Sequence, residues 1–193
     1  MTITVEDISS FFKRFCRKEL KKPHLKKASV LMLFYPKNGE LHVLLTKRTE
    51  GVEHHKGQIS FPGGSHDDVD SDLIMTALRE SEEEIGLPRK VVNVLGLFDE
   101  YETPSGFAVT PVVASAEALP PLTPHAAEVA EILEVPLSLF MDGRNERVER
   151  RVLLGVPVDV YFYRYGEHQI WGATAAILRS FLLSLQQSLE AQT

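Results

Sequence analysis

The chain has 193 residues, 44% hydrophobic and 25% charged, with a net charge of −6, the composition of one globular domain and not of a disordered or fibrous chain. A single cysteine, Cys16, excludes a disulfide framework, a four-thiolate zinc site and a Cys-x-x-Cys redox pair. No apolar run is long enough to span a bilayer and no secretory leader is evident, so the expectation is a cytoplasmic protein. Charge is unevenly spread. Residues 1–27 hold eight Lys or Arg against three acids, a net +5, which leaves −11 on the remaining 166 residues. An acidic body argues against a partner nucleic acid bound along its phosphates.

Apolar positions Ile8, Phe11, Phe12, Phe15 and Leu20 recur at helical spacing and predict an amphipathic helix over 4–20, followed by a basic linker around Pro23. This basic segment, 1–27, is read apart from a main domain, 28–193. Apolar runs at 28–35 and 41–46, separated by Pro-Lys-Asn-Gly at 36–39, predict a hairpin. A long loop spans 49–72, interrupted by a short run at 58–61. A helix is expected at 72–85, stopped by Gly86 and Pro88. Strands are expected at 91–98, 107–114, 129–135, 148–154 and 158–163, and a closing helix at 173–189 with Ile177, Phe181, Leu185 and Leu189 on one face. Trp171 reads as a packing residue at the start of that helix, and Cys16 as a packing or surface thiol. This order describes one mixed α/β (α+β) domain with helices packed on a sheet.

The chemistry concentrates in the helix at 72–85. Glu80, Glu83 and Glu84 fall within one arc of roughly 100°, while Ile74, Leu78, Ser81 and Ile85 form the stripe that packs on the sheet. Three carboxylates on one face repel each other, and a hard divalent cation such as Mg²⁺ or Mn²⁺ relieves that repulsion. Arg79 can fix a carboxylate through a bidentate pair. On spacing alone, a solvated acidic helix face fits equally well. A calcium loop does not, since Asp68, Asp70 and Asp72 are followed by Leu73 where glycine is needed and by Arg79 where the bidentate glutamate belongs. His54 and His55 lack the spacing of a zinc-protease helix, and no nucleophile elbow, phosphate loop or dinucleotide fingerprint occurs.

Arg79-Glu80-Ser81-Glu82-Glu83-Glu84-Ile85-Gly86-Leu87 resembles the second half of the signature of the Nudix hydrolases. Ser81 takes an apolar position of that signature. The first half is one residue longer, so that Ser71 stands where a glutamate belongs and Asp70 beside it is expected to cap the helix or face solvent. The stretch Leu44-Leu45-Thr46-Lys47-Arg48, then Gly57 and Phe61-Pro62-Gly63-Gly64, is similar to the coenzyme A diphosphatase branch. So are 103–107, 128–137 and 170–172, although Glu53 replaces a basic residue that Lys56, His54 or His55 has to stand in for. The resemblance implies an α/β/α sandwich with a mixed central sheet and a Mg²⁺- or Mn²⁺-dependent diphosphatase. It implies Glu80, Glu83, Glu84 and the Gly64 carbonyl as metal ligands; a carboxylate outside the helix, Glu128 just before a strand (alternatively Glu80), is the expected general base, and Arg79 the residue that orients the acids. Arg48, Lys56, Gly57 and Phe61 are the implied substrate contacts. The implied substrate is coenzyme A, cut to 4′-phosphopantetheine and adenosine 3′,5′-bisphosphate. ADP-ribose or NADH is the alternative, and a non-catalytic nucleotide-binding module a further one. A homodimer is compatible with the sequence.

Overall fold

A computed structural model describes residues 2–49, 57–153 and 155–191. Helix α1 (Val5–Phe12) is followed by strands β1 (Lys26–Lys37), β2 (Glu40–Arg48), β3 (Ile59–Ser60) and β4 (Gly63–Ser65), then helix α2 (Leu73–Ile85). Strands β5 (Asn93–Leu97), β6 (Tyr101–Glu102), β7 (Phe107–Ser115) and β8 (Val129–Pro136) come next, then the single turn α3 (Ser138–Met141). Strands β9 (Glu146–Leu153), β10 (Val156–Tyr165) and β11 (His168–Trp171) precede the last helix, α4 (Gly172–Glu190).

Strand β1 is the axis of the main sheet, antiparallel to β2 and β4 and parallel to β7. Strand β7 carries β5 and β6, and β2 carries β8 and β3, all antiparallel. Helices cover both faces of this mixed sheet, so its central strands are apolar throughout and successive side chains enter different cores. Leu31, Leu33 and Tyr35 pack with Leu44, Ala77 and Ile85 beneath α2. Met32 and Phe34 pack with Val43, Leu45, Ile8, Phe11 and Phe181 beneath α1 and α4. The result is the expected α/β/α sandwich. Strands β9, β10 and β11 form a second, antiparallel sheet. It is tied back by Tyr165, whose hydroxyl donates to the Glu134 carbonyl at 3.2 Å, and the first turn of α4 beyond it is held by Thr174, which donates to the Ile59 carbonyl at 3.0 Å.

The hairpin turn is tighter than expected. Asn38 (φ 53°) and Gly39 (φ 84°) alone connect β1 to β2, the left-handed pair that a two-residue hairpin requires. The first helix is shorter than expected, ending at Phe12 instead of residue 20. Beyond it the backbone N–H groups of Lys18 and Leu20 donate to the carboxylates of Asp99 and Glu100, and Glu100 N–H returns to the Lys18 carbonyl at 3.1 Å. These partners hold the chain extended while Phe15 still stacks on Phe98 at 5.2 Å. The loop expected at 49–72 contains β3 and β4, and β11 was not anticipated because its four residues are too few to show a period. Trp171 is the residue preceding α4 and lies stacked against Phe162 at 5.8 Å. Cys16 is exposed. No helix among the described residues is long and apolar enough to cross a membrane.

Candidate metal centre and active site

Strand β4 presses two glycines against the heart of the sheet. A Cβ on Gly63 (φ 150°) would lie 2.3 Å from the Ser29 carbonyl oxygen, and one on Gly64 would lie 2.5 Å from the Glu80 carboxyl group. Only glycine lets α2 lie this close. The helix is fixed at both ends. Asp72 caps it by accepting from Met75 N–H at 2.9 Å, and Gly86 (φ 67°) closes it, with Leu87 N–H donating back to the Ser81 carbonyl at 3.4 Å. Ser81, buried at the apolar position, satisfies its hydroxyl on the Ala77 carbonyl at 2.6 Å.

The carboxylates of Glu80, Glu83 and Glu84 line one cleft of about 330 Å³ together with His125 and Glu128. The loop bearing His125 and Glu128 is pinned to the open end of α2. Thr123 N–H donates to the Ile85 carbonyl at 3.0 Å and His125 N–H to the Glu84 carbonyl at 2.8 Å. Glu128 is half-exposed, with His125 Nδ1 3.6 Å from its carboxylate. Thr49 N–H donates to its carbonyl at 2.9 Å. A larger cavity of about 470 Å³ lies at the far end of β1, lined by Tyr35, Lys37, Glu134 and the apolar 118–122 loop. It contains none of the α2 acids.

Burial differs along the acidic face. The Glu84 side chain is 5% exposed, takes Gly63 N–H at 3.2 Å and has Arg48 Nη1 at 3.6 Å. Burial, followed by the neighbouring charges of Glu80 and Glu128, pushes its carboxyl up to about 7, against the opposing pull of Gly63 and Arg48. Burial also raises Glu80, with Glu83 and Glu128 adding to the effect and Arg79 resisting it. Glu83 is exposed. Among the described residues no three acidic, His or Cys side chains are already drawn together at metal-ligand spacing. Arginines hold the acids instead: Arg79 reaches Glu80 at 2.9 Å and Glu83 at 3.0 Å. The donor set nevertheless fits a hard divalent cation: it is carboxylate oxygen on one helix face, and a cation relieves the raised proton affinity of Glu80 and Glu84.

Asp70 departs from expectation. Asp72 caps the helix in its place, and the Asp70 side chain is only 3% exposed. Its two oxygens grip Arg79 at 2.8 and 2.9 Å, and Thr76 donates to it at 2.9 Å. The Arg79 guanidinium holds this carboxyl well below the usual carboxylate range. Phe61, expected at the substrate surface, is 3% exposed and belongs to the larger core, because β3 and β4 turn it inward. Arg48 stands at the cleft, paired with Glu84, and Gly57 (φ 63°) sits at the end of β2's neighbouring loop. Lys56, with Glu53, His54 and His55, lies outside the described residues. His125 was not singled out from the sequence; its spacing three residues before Glu128 is the only signal it offers.

Residues 25–153 match the family described as NUDIX domain. A relative from Photorhabdus laumondii, an uncharacterized Nudix hydrolase NudL, is 42% identical over 150 residues, covering 75% of this chain and 77% of its own. Among solved structures, the Nudix hydrolase RenU of M. smegmatis is similar with a TM-score of 0.51 and 27% identity, over 58% of this chain and 71% of that one. The MutT protein of Methanosarcina mazei shares the fold, with a TM-score of 0.54 at 19% identity over 88% and 97% of the two chains.

Proposed function

This chain belongs to the Nudix hydrolase family, whose members cut pyrophosphate bonds, and on that premise we propose that its substrate is coenzyme A. The observation that carries the reading is the mutually repelling acid cluster of α2, with Glu84 buried in it, beneath the paired glycines of β4. Substrate choice rests on the stretch from Leu44 to Gly64, which resembles the coenzyme A branch. Glu80, Glu83 and Glu84, with the Gly64 carbonyl, are the groups assigned to hold Mg²⁺ or Mn²⁺. A bound divalent cation neutralises diphosphate oxygens and lowers the pKa of the attacking water. Glu128, at the rim of the cleft, takes the proton from that water, with Glu80 as the alternative base. The water oxygen bonds to one phosphorus as the bridging oxygen leaves with the other phosphate. Products are 4′-phosphopantetheine and adenosine 3′,5′-bisphosphate. Arg79 orients Glu80 and Glu83 and is itself held by Asp70.

The 3′-phosphate of coenzyme A needs a cationic partner, since an unpaired buried phosphate is costly. Arg48 and Lys56 are assigned that role. The test is kcat/KM for coenzyme A, dephospho-coenzyme A, ADP-ribose and NADH at one Mg²⁺ concentration, with products identified by mass. Coenzyme A is expected to be turned over best, and Arg48→Ala or Lys56→Ala to weaken it more than dephospho-coenzyme A. A preference for ADP-ribose or NADH overturns the substrate. Equal losses on both coenzyme forms remove these two residues from 3′-phosphate recognition.

A further inference from the structure

Strand β9 is bounded by β10 on one side, and its other edge meets no strand among the described residues. An open edge normally carries a device against pairing, most often charge. This one carries charge, Glu146-Arg147-Val148-Glu149-Arg150-Arg151-Val152, but with alternating sign and exposed valines between: Val148 is 47% exposed and Val152 73%.

The register with β10 shows which backbone groups are free. Val152 lies opposite Pro157, which has no N–H to donate, so this is a non-hydrogen-bonded pair. By alternation Arg150 opposite Asp159, Val148 opposite Tyr161 and Glu146 opposite Tyr163 are non-hydrogen-bonded as well. The N–H and C=O groups of Glu146, Val148, Arg150 and Val152 therefore point outward, away from β10.

We propose that this edge is a self-association surface, on which β9 of a second copy of this chain pairs antiparallel about a two-fold axis at Val148. A two-fold pair must match outward-pointing groups with outward-pointing groups. Centring on Val148 does so, and it sets Glu146 opposite Arg150 of the second copy and Arg147 opposite Glu149 of the second copy, each twice. Glu146, Arg147, Glu149 and Arg150 each then oppose a charge of opposite sign, and the two copies of the exposed Val148 meet at the axis. Other centres do less well: those on 146 and 149 oppose two glutamates, those on 147, 150 and 151 two arginines, and one on Val152 gives Arg150 and Arg151 no opposed acid. The alternation that would repel a strand in most of those registers selects this one. Two three-stranded sheets become one six-stranded sheet, and the open edge disappears.

The test is sedimentation velocity over about 1–200 μM protein, spanning the weak range expected of a small interface. Wild type is expected to show a concentration-dependent dimer. Arg147→Glu and Glu149→Arg, each of which opposes like charges in the proposed register, are expected to weaken dimerisation about tenfold or more. Mixed one to one, the two variants present only opposite charges to each other, and the dimer is expected to return. A monomeric wild type, dimers of either variant at wild-type strength, or a mixture that stays monomeric overturns the proposal. Thermal melts report whether each variant is folded. If one is not, Val148→Asp at the exposed axis position gives the same reading, monomer supporting the register and an unchanged dimer contradicting it.

Discussion

Asp70 is a buried carboxylate whose fully charged cationic partner among the described residues is Arg79, and Arg79 in turn holds Glu80 and Glu83 of the cleft. Removing the Asp70 charge takes from Arg79 its buried two-oxygen partner and leaves it only Glu80 and the exposed Glu83. Asp70→Asn is expected to lose on the order of 2–3 kcal/mol at pH 7. The pH dependence has a definite sign. The folded value lies below the ordinary unfolded value near about 3.9, so the contribution is present above that pH and is lost as pH falls toward the folded value. The gap between wild type and variant in urea unfolding should therefore narrow progressively as pH falls below about 4. An equal gap at pH 7 and pH 3 would show that the Asp70 charge is not what stabilises the fold. The acids of α2 were legible in the sequence because helical spacing alone puts Glu80, Glu83 and Glu84 on one side. Asp70's grip on Arg79 was not. It depends on how the loop before α2 folds back over the helix, and Asp residues before a helix are equally good caps, a role that fell to Asp72.

At the scale of elements, α1 illustrates how a side-chain pattern can outrun the helix that begins it. Phe11, Phe12 and Phe15 all join one aromatic cluster with Phe98 and Phe181, so their helical spacing is real in its packing consequence. The backbone leaves the helix because Asp99 and Glu100, some 80 residues away, offer acceptors to Lys18 and Leu20. Periodicity reports faces, not distant backbone partners. Gly96 of β5 makes this docking possible, since a Cβ there would lie 2.3 Å from the Phe12 ring. The ring is wedged among aromatic neighbours, so Gly96→Ala is expected to destabilise by about 1–3 kcal/mol through overpacking. Turnover per folded molecule should be unchanged, because Gly96 and α1 lie on the sheet face opposite α2. Thermal melts and activity at one temperature below the transition check both parts; an unaltered melting temperature would mean that α1 yields freely.

Across the whole molecule, the sandwich was readable because β1, β2 and β7 are apolar runs flanked by helices with one apolar face each. The second sheet was less so. Its strands β9 and β10 showed as short runs, whereas β11 is four residues long and is defined by its partners at 162–165. Burying Glu84, with Glu80 partly buried beside it, carries a stability cost that function explains: Glu84 would prefer to be neutral where it sits. The most direct test of the account is the Mg²⁺ dependence of pyrophosphate-bond hydrolysis by wild type and Glu84→Gln, read alongside the melting temperature of each without metal. Glu84→Gln is expected to lose about 100-fold or more in kcat/KM at every Mg²⁺ concentration. Its metal-free melting temperature at pH 8 should equal or exceed that of wild type. Unchanged turnover by Glu84→Gln at limiting Mg²⁺ would contradict the assignment of the α2 acid cluster as the metal centre.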